Sequence, residues 1–378
     1  MTQIKICPHD PVIARDGRPF GSGQSRRMRC MDWLYPSVVT GSLRTMLGKQ
    51  ASGTFDNATI TALKAVQVKG PFLLHENTLY SPAPKDIVID QNNNFFVKRP
   101  APLEDEEGCD LPANLMPVML QEPPDEDFKP QPGPAFWSID NLTNWLCDPD
   151  GKSFSLPESF SPAHGFLETI EHETRTHIKI SPLIGAVDPD EGQLFITDGL
   201  AIPKGCSLVI NTKCDGNFKD ILDKLHSMHP LGGERRLSQW QTFNHHNLFA
   251  CPQKLVDVLN KNPKHIRMIL ATPAIFKNGW LPGWLSPNLE GFVPETSLKV
   301  RLKGACIERW KPISGWGLEA GKVGPKPIRR LVPAGSVYFL EVIEGKSSEL
   351  CGRWLESVCD LKQNQSDGFG LALWGIWQ

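Results

Sequence analysis

Arg15, Arg18, Arg26, Arg27 and Arg29 fall within fifteen residues, in the stretch RDGRPFGSGQSRRMRC, around the trio Gly21, Ser22 and Gly23. Glycines let backbone amides approach an anion closely, and a guanidinium presents paired donors that match two phosphate oxygens. Five arginines at this density exceed what solubility asks of a loop. The stretch therefore reads as a phosphate-binding segment rather than a solvated basic one.

Two more segments repeat this chemistry. GGERRLSQW (residues 232–240) opens on a tight glycine turn and continues with Arg235 and Arg236. SGWGLEAGKVGPKPIRRLVPAG (residues 314–335) carries Trp316, Lys326, Arg329 and Arg330. Its Gly321–Lys322 pair is similar to a nucleoside-triphosphate loop, but Trp316 stands where the upstream glycine is needed and Val323 follows the lysine, so that reading fails. A glycine-rich backbone with cations and a stackable aromatic suits single-stranded RNA. DGFGLALWGIW (residues 367–377) adds Phe369, flanked by glycines, which by its type is as much a core residue as a candidate to stack on a base.

HETRTHIK (residues 172–179) nearly matches a zinc-protease motif. His172 and His177 are five apart, about 140° around a helix, and so could not share one metal from one helix face. Read as a strand or loop, the segment alternates Arg175, His177 and Lys179 onto one face, which fits a polar edge strand as well as an RNA contact. His245–His246 with Cys251 reads as ordinary structure. The chain has no GxSxG elbow, paired catalytic carboxylates, dinucleotide fingerprint or cysteine-nucleophile context. A binding protein that is not an enzyme, with no metal and no cofactor, is expected.

The charge balance hides this basic character. Forty Lys and Arg against forty-two Asp and Glu give −2. Residues 101–130 hold nine acids and one base and carry −8, so the other 348 residues carry +6. Within them, residues 15–49 carry +5 and residues 297–330 carry +7. Ten cysteines without a CxxC pair point to reduced thiols and no structural zinc. With no charged-then-apolar leader and no apolar run approaching ~20 residues, a cytoplasmic protein that avoids membranes is expected.

The elements that must position these groups show an internal echo. QLFITDGLAIPKGCSLVIN reads as two strands, NFKDILDKLHSM as a helix with Phe218, Ile221, Leu222 and Leu225 on one face, and GGERRLSQW as a turn into a strand. Near the C-terminus SLKVRLKGACIERW and SVYFLEVI read as strands. SELCGRWLESVCD reads as a helix burying Leu350, Trp354, Leu355 and Val358, and SDGFGLALWGIW as turn into strand. Each half opens on a strand, Ile4–Cys7 and Ile266–Thr272. The first continues into a helix over Ser37–Leu47, N-capped by Ser37 and burying Val39, Leu43, Met46 and Leu47. The second half's first helix either falls within the Pro-rich stretch 280–296 or is absent.

Strand, helix, two strands, helix, strand is the split pattern of ferredoxin-like folds, with helices on one sheet face and the other face free for ligands. The expected fold is α+β, with two ferredoxin-like (RRM-like) domains in tandem, residues 1–248 and 249–378. The first carries a long Pro-rich acidic surface insertion, about 75–165. Nine prolines between Pro100 and Pro134 and the run Glu104, Asp105, Glu106, Glu107 resist regular structure there. A hairpin around Asn92–Asn93 and a short capped helix over Asp140–Leu146 are expected inside it.

PHDPVIARDGRPFGSG followed by MDWLYPSVVTGSLRT, which contains Arg44, resembles the start of a known family. GPFLL with LYSPAP, LGGERR, LATPAIFKNGW, PISGW, GPKPIRRLVPAGSVYF and DGFGLALWG continue the match in order to the C-terminus. The family is the RAMP-superfamily subunit at the crRNA 5′ end of type III-B (Cmr) CRISPR effectors. The resemblance implies two ferredoxin-like domains, no nuclease centre, and binding of the repeat-derived 5′ tag of crRNA. It also implies docking to the large polymerase-like subunit and to a backbone RAMP subunit. Arg15, Arg18, Arg26, Arg27, Arg29, Arg235, Arg236, Lys326, Arg329 and Arg330 all fall in its matching segments. The expected role is a non-catalytic RNA-binding subunit in antiviral defence. The alternative is a metal-independent crRNA-processing endoribonuclease, with His172 and His177 as candidate acid and base.

Overall fold

The computed structural model describes residues 1–15, 27–103, 108–112, 114–122, 128–187, 194–317 and 323–378. It is a mixed α and β chain in which, among the described residues, sheets dominate and helices are few. Two compact units form. One comprises 1–66, 170–244 and 312–329, the other 67–169, 245–311 and 330–378. This partition interleaves along the chain and is not the expected division at 248/249. The reason for one part of it is local: residues of 86–151 pack on the strand that contains Arg267.

In the first unit, the strand Thr2–Pro8 lies between Cys206–Lys213 and Leu237–Phe243, antiparallel to both, with Ile4 opposite Ile210 and Thr242. The helix Pro36–Ala51 buries Val39, Leu43, Met46 and Leu47 as the periodicity predicts. It starts at Pro36, with Tyr35 rather than Ser37 as the cap, because the fixed φ of proline suits the first helical position. The helix expected across 217–228 ends at Asp223, and His226–Pro230 pair instead with Leu237–Phe243. Ladder hydrogen bonds satisfy those backbone groups. Leu222 and Leu225 remain buried, but Phe218 and Ile221 are only half-buried.

The second unit is built on a six-stranded antiparallel sheet. Its order is Glu290–Phe292, Lys299–Cys306, Val337–Glu344, His265–Leu270, Leu371–Ile376, Glu356–Ser357. No helix forms within 280–296. Pro282, Pro287 and Pro294 remove donors, and turns such as Leu285 N to Pro282 O replace it. The helix expected near the C-terminus shrinks to a 3₁₀ segment, Ser347–Arg353. Leu355 then turns left-handed (φ 54) and Glu356–Ser357 join the sheet. Leu350, Trp354, Leu355 and Val358 are buried all the same. Their apolar content decided burial without deciding the element.

The hairpin around Asn92–Asn93 is present as Ile87–Ile89 against Phe95–Pro100, and the capped helix as Ile139–Cys147. The Asp90 carboxylate accepts from Asn92 N at 2.7 Å and Asn94 N at 2.9 Å, which fixes the turn. Ser138 Oγ accepts from Asn141 N at 3.2 Å and caps the helix. The stretch is not surface throughout: Trp137, Leu142, Trp145 and Leu146 are fully buried, whereas 108–112 are exposed. Nor does it leave one sheet face free. Residues 266–270 are buried on both faces, and a Cβ at Gly375 would collide with Leu146.

At the centre of that contact Asp86 binds two arginines, Arg267 Nη1 at 2.7 Å and Arg99 Nη1 at 3.1 Å. Arg267 also donates to the carbonyls of Trp145 and Asp148. Burial lowers the Arg267 pKa to about 10, against the opposing pull of Asp86, so the group stays charged at neutral pH. Buried charges of this kind persist only when paired and hydrogen-bonded. Among the described residues no helix is long and apolar enough to cross a membrane.

Candidate nucleic-acid interface

The segment Val12–Arg15 gathers three of the basic motifs. Val12 and Leu200 exchange backbone hydrogen bonds of 2.9 Å, which joins the segment to the ribbon Glu171–Ile178 with Leu194–Ala201. Ile13 lies beside Gly232, and its carbonyl accepts from Gly233 N at 2.7 Å. Arg15 lies opposite Cys30. Arg27 pairs in parallel with Ile196 through Met28 N to Ile196 O at 2.9 Å. Segments far apart in sequence thus meet along four residues.

Local alternation sets which side chains face outward. Val12, Ile13, Ala14, Met28 and Cys30 are buried, whereas Arg15, Arg27 and Arg29 are exposed. Arg27–Met28–Arg29–Cys30 therefore behaves as extended chain, cations out and apolar groups in. Cys30 anchors it: its N donates to Asp198 Oδ2 at 3.2 Å, and its Sγ receives Ala14 N at 3.3 Å. Burial raises the Cys30 pKa to about 11, so the anchor is a neutral thiol. Sequence reasoning missed Cys30 and Asp198, although the two-residue alternation of Arg27 to Cys30 was a signal for the first.

Gly232 sits at φ +78, and a Cβ there would collide with the Ile13 carbonyl. Only glycine allows this approach. The turn that follows presents Arg235, exposed, and Arg236, whose Nη1 lies 3.8 Å from Asp10 Oδ1. On the ribbon, Arg175 and His177 share a face and are half-buried. Arg175 Nε binds Glu173 Oε1 at 2.5 Å. His177 stacks on Phe195 at 5.0 Å and contacts Thr197 Oγ1 at 2.7 Å. Lys179 lies just past the strand, exposed.

His172 Nδ1 instead lies 3.0 Å from Asp198 Oδ2. A spacing of five along a strand puts His172 and His177 on opposite faces, in keeping with their adjacent partners Asp198 and Thr197. The two rings are not arranged to act on one phosphate.

The 312–329 excursion belongs to the same unit. Trp316 pairs with Pro325, and Lys326 N donates to Gly315 O at 2.7 Å. Lys326 is exposed and Arg329 half-buried. Arg330 lies in the second unit. Arg18, Arg26, Glu104, Asp105, Glu106, Glu107 and the side chain of Trp316 lie outside the described residues.

One expected contact is corrected. Phe369 has no exposed surface and fills the second unit's core, so it cannot stack on a base. Arg44 closes the helix Asn57–Ala65: its Nη2 donates to Lys64 O at 3.2 Å and Val66 O at 2.8 Å. Those carbonyls end the helix without intrahelical partners, which is where a guanidinium is favoured.

The fold is of a kind found in CRISPR effector complexes. It is similar to a chain in a structure described as "Cryo-EM structure of the Type III-B Cmr-beta bound to cognate target RNA". The TM-score is 0.53 at 15% identity, with 98% of this chain and 96% of that chain covered. A second Cmr-beta structure, with AMPPnP, gives 0.49 at 15% identity and 92% and 87% coverage. A type III-A Csm3–Csm4 subcomplex gives 0.40 at 12% identity and 92% and 94% coverage. No curated protein matches the chain. The profile of the CRISPR-associated protein family Cas_Cmr3 matches residues 4–377, and the chain belongs to that family.

Proposed function

We propose that the chain is a non-catalytic RNA-binding subunit of a type III-B CRISPR ribonucleoprotein that holds the 5′ tag of crRNA. The observation that carries this reading is that the backbone segments bearing Arg15, Arg27, Arg29, Arg235 and Arg236 pair with Val12–Arg15 or with the strand Leu194–Ala201 joined to it. Four of the five are exposed, and Arg236 meets its acid only at 3.8 Å. An ion pair that long contributes little, so Asp10 does not withhold Arg236 from a phosphate. Arg175, His177 and Lys179 extend the surface along the ribbon; Lys326 and Arg329, in the same unit, and Arg330, in the other, are further proposed RNA contacts. The family membership and the RNA-bound state named for the similar Cmr-beta structure support the same reading.

Two tandem ferredoxin-like folds underlie this role. In the second unit the four long strands run 2-3-1-4 in chain order, the order of that fold, although its first crossover lacks a helix. In the first unit the corresponding strands run 4-1-3, with Leu194–Ala201 paired elsewhere in the ribbon. Docking to a large polymerase-like subunit and to a backbone subunit, in the cytoplasm, completes the proposal.

The test is a filter-binding titration of tag RNA against salt. For single strands log affinity falls at about −0.7 per phosphate neutralised against log salt. Replacing Arg15, Arg27, Arg29 and Arg235 by alanine should flatten that slope. A slope equal to that of the wild type would refute the site.

A further inference from the structure

We propose that Trp310, backed by Arg330, is a stacking platform for one unpaired base of bound RNA. The inference rests on the RNA-binding reading and adds a contact outside the arginine cluster around Val12–Arg15. Trp310 is 44% exposed. Its indole is held from one side by the Arg330 guanidinium, 4.8 Å from the ring centroid. An aromatic this large gains by burial, and with Arg330 over one side its remaining exposed surface suits a flat partner. Arg–indole stacking orients the ring and leaves surface for a flat, electron-rich group.

The surroundings favour a polyanion over a protein. Arg309 and Arg330 are exposed, and among the described residues neither forms a salt bridge. The neighbouring acid, Glu308, is bound by Lys85 at 3.0 Å. Glu308 and Ile307 also line a cleft of about 670 Å³ together with Lys85 and Lys98. A base-sized aromatic platform beside unpaired cations is the pairing that single-stranded RNA sites use.

The experiment uses the full chain and a fluorescent single-stranded tag oligoribonucleotide, with a series in which one base at a time is made abasic. Trp310→Ala should weaken binding by roughly 5- to 100-fold, the range of base–aromatic stacking. Its salt slope should stay as in the wild type, whereas Arg330→Ala should lower it. One abasic position should weaken the wild type and leave Trp310→Ala unaffected, and Trp310→Phe should keep most of the affinity. Binding by Trp310→Ala within twofold of the wild type would overturn the inference and leave the RNA-binding reading intact. Additive losses from Trp310→Ala and every abasic position would do the same. Normal RNA affinity with failure to enter the assembled complex would assign Trp310 to a protein contact, again against the inference. A wild-type chain that does not bind the oligonucleotide would overturn both.

Discussion

Asp86 accepts a 2.7 Å hydrogen bond from Arg267 with both side chains fully buried, 181 positions apart. The same carboxylate binds Arg99, and the three groups fix the stretch 86–151 to the sheet of the second unit. Asp86→Ala should cost about 3–5 kcal/mol, because it leaves two guanidiniums buried without their carboxylate. Denaturant unfolding followed by tryptophan fluorescence checks this. A loss under about 1 kcal/mol would mean that the triad is not what holds the stretch in place.

Gly232→Ala combines a left-handed backbone (φ +78) with a collision at the Ile13 carbonyl. It should destabilise the chain by more than about 1 kcal/mol and displace Arg235 from the segment Val12–Arg15. Thermal melting and tag-RNA affinity should fall together. Wild-type melting with wild-type affinity would show that the close approach does not position the arginines.

His229 and His265 both have pKa values lowered by burial; Lys49 adds to the effect at His229, whereas Glu341 opposes it at His265. The unfolded chain, with histidine near 6.5, therefore binds more protons than the folded one as pH falls through that value. Stability should be full above the unfolded value and decline below it. The urea midpoint should be lower at pH 5.5 than at pH 7.5, and the double variant His229→Gln, His265→Gln should reduce that difference. An equal difference in the variant would assign the pH effect to other groups.

The opposed faces of His172 and His177 leave no shared acid and base for strand cleavage. Purified chain incubated with repeat RNA in chelator should yield no product ending in a 2′,3′-cyclic phosphate. Such a product, lost in His172→Ala, would favour the endoribonuclease reading.

The residues alone determined which segments are cationic, where Val39, Leu43, Met46 and Leu47 would be buried, and that Asn92–Asn93 would turn. These outcomes depend on side-chain type and on the periods of helix and strand, which are local. The motifs quoted from PHDPVIARDGRPFGSG to DGFGLALWG also pointed to the family. Distant pairing decided the rest. Residues 226–230 became strand because Leu237–Phe243 offered a ladder, and Phe369 was buried because its neighbours in space closed over it. Arg44 and Arg29 look alike in sequence. Only the folded chain brings helix-end carbonyls to the first and leaves the second in solvent. A hydrogen-bond partner far along the chain has no signature in local composition, so these assignments required the tertiary structure.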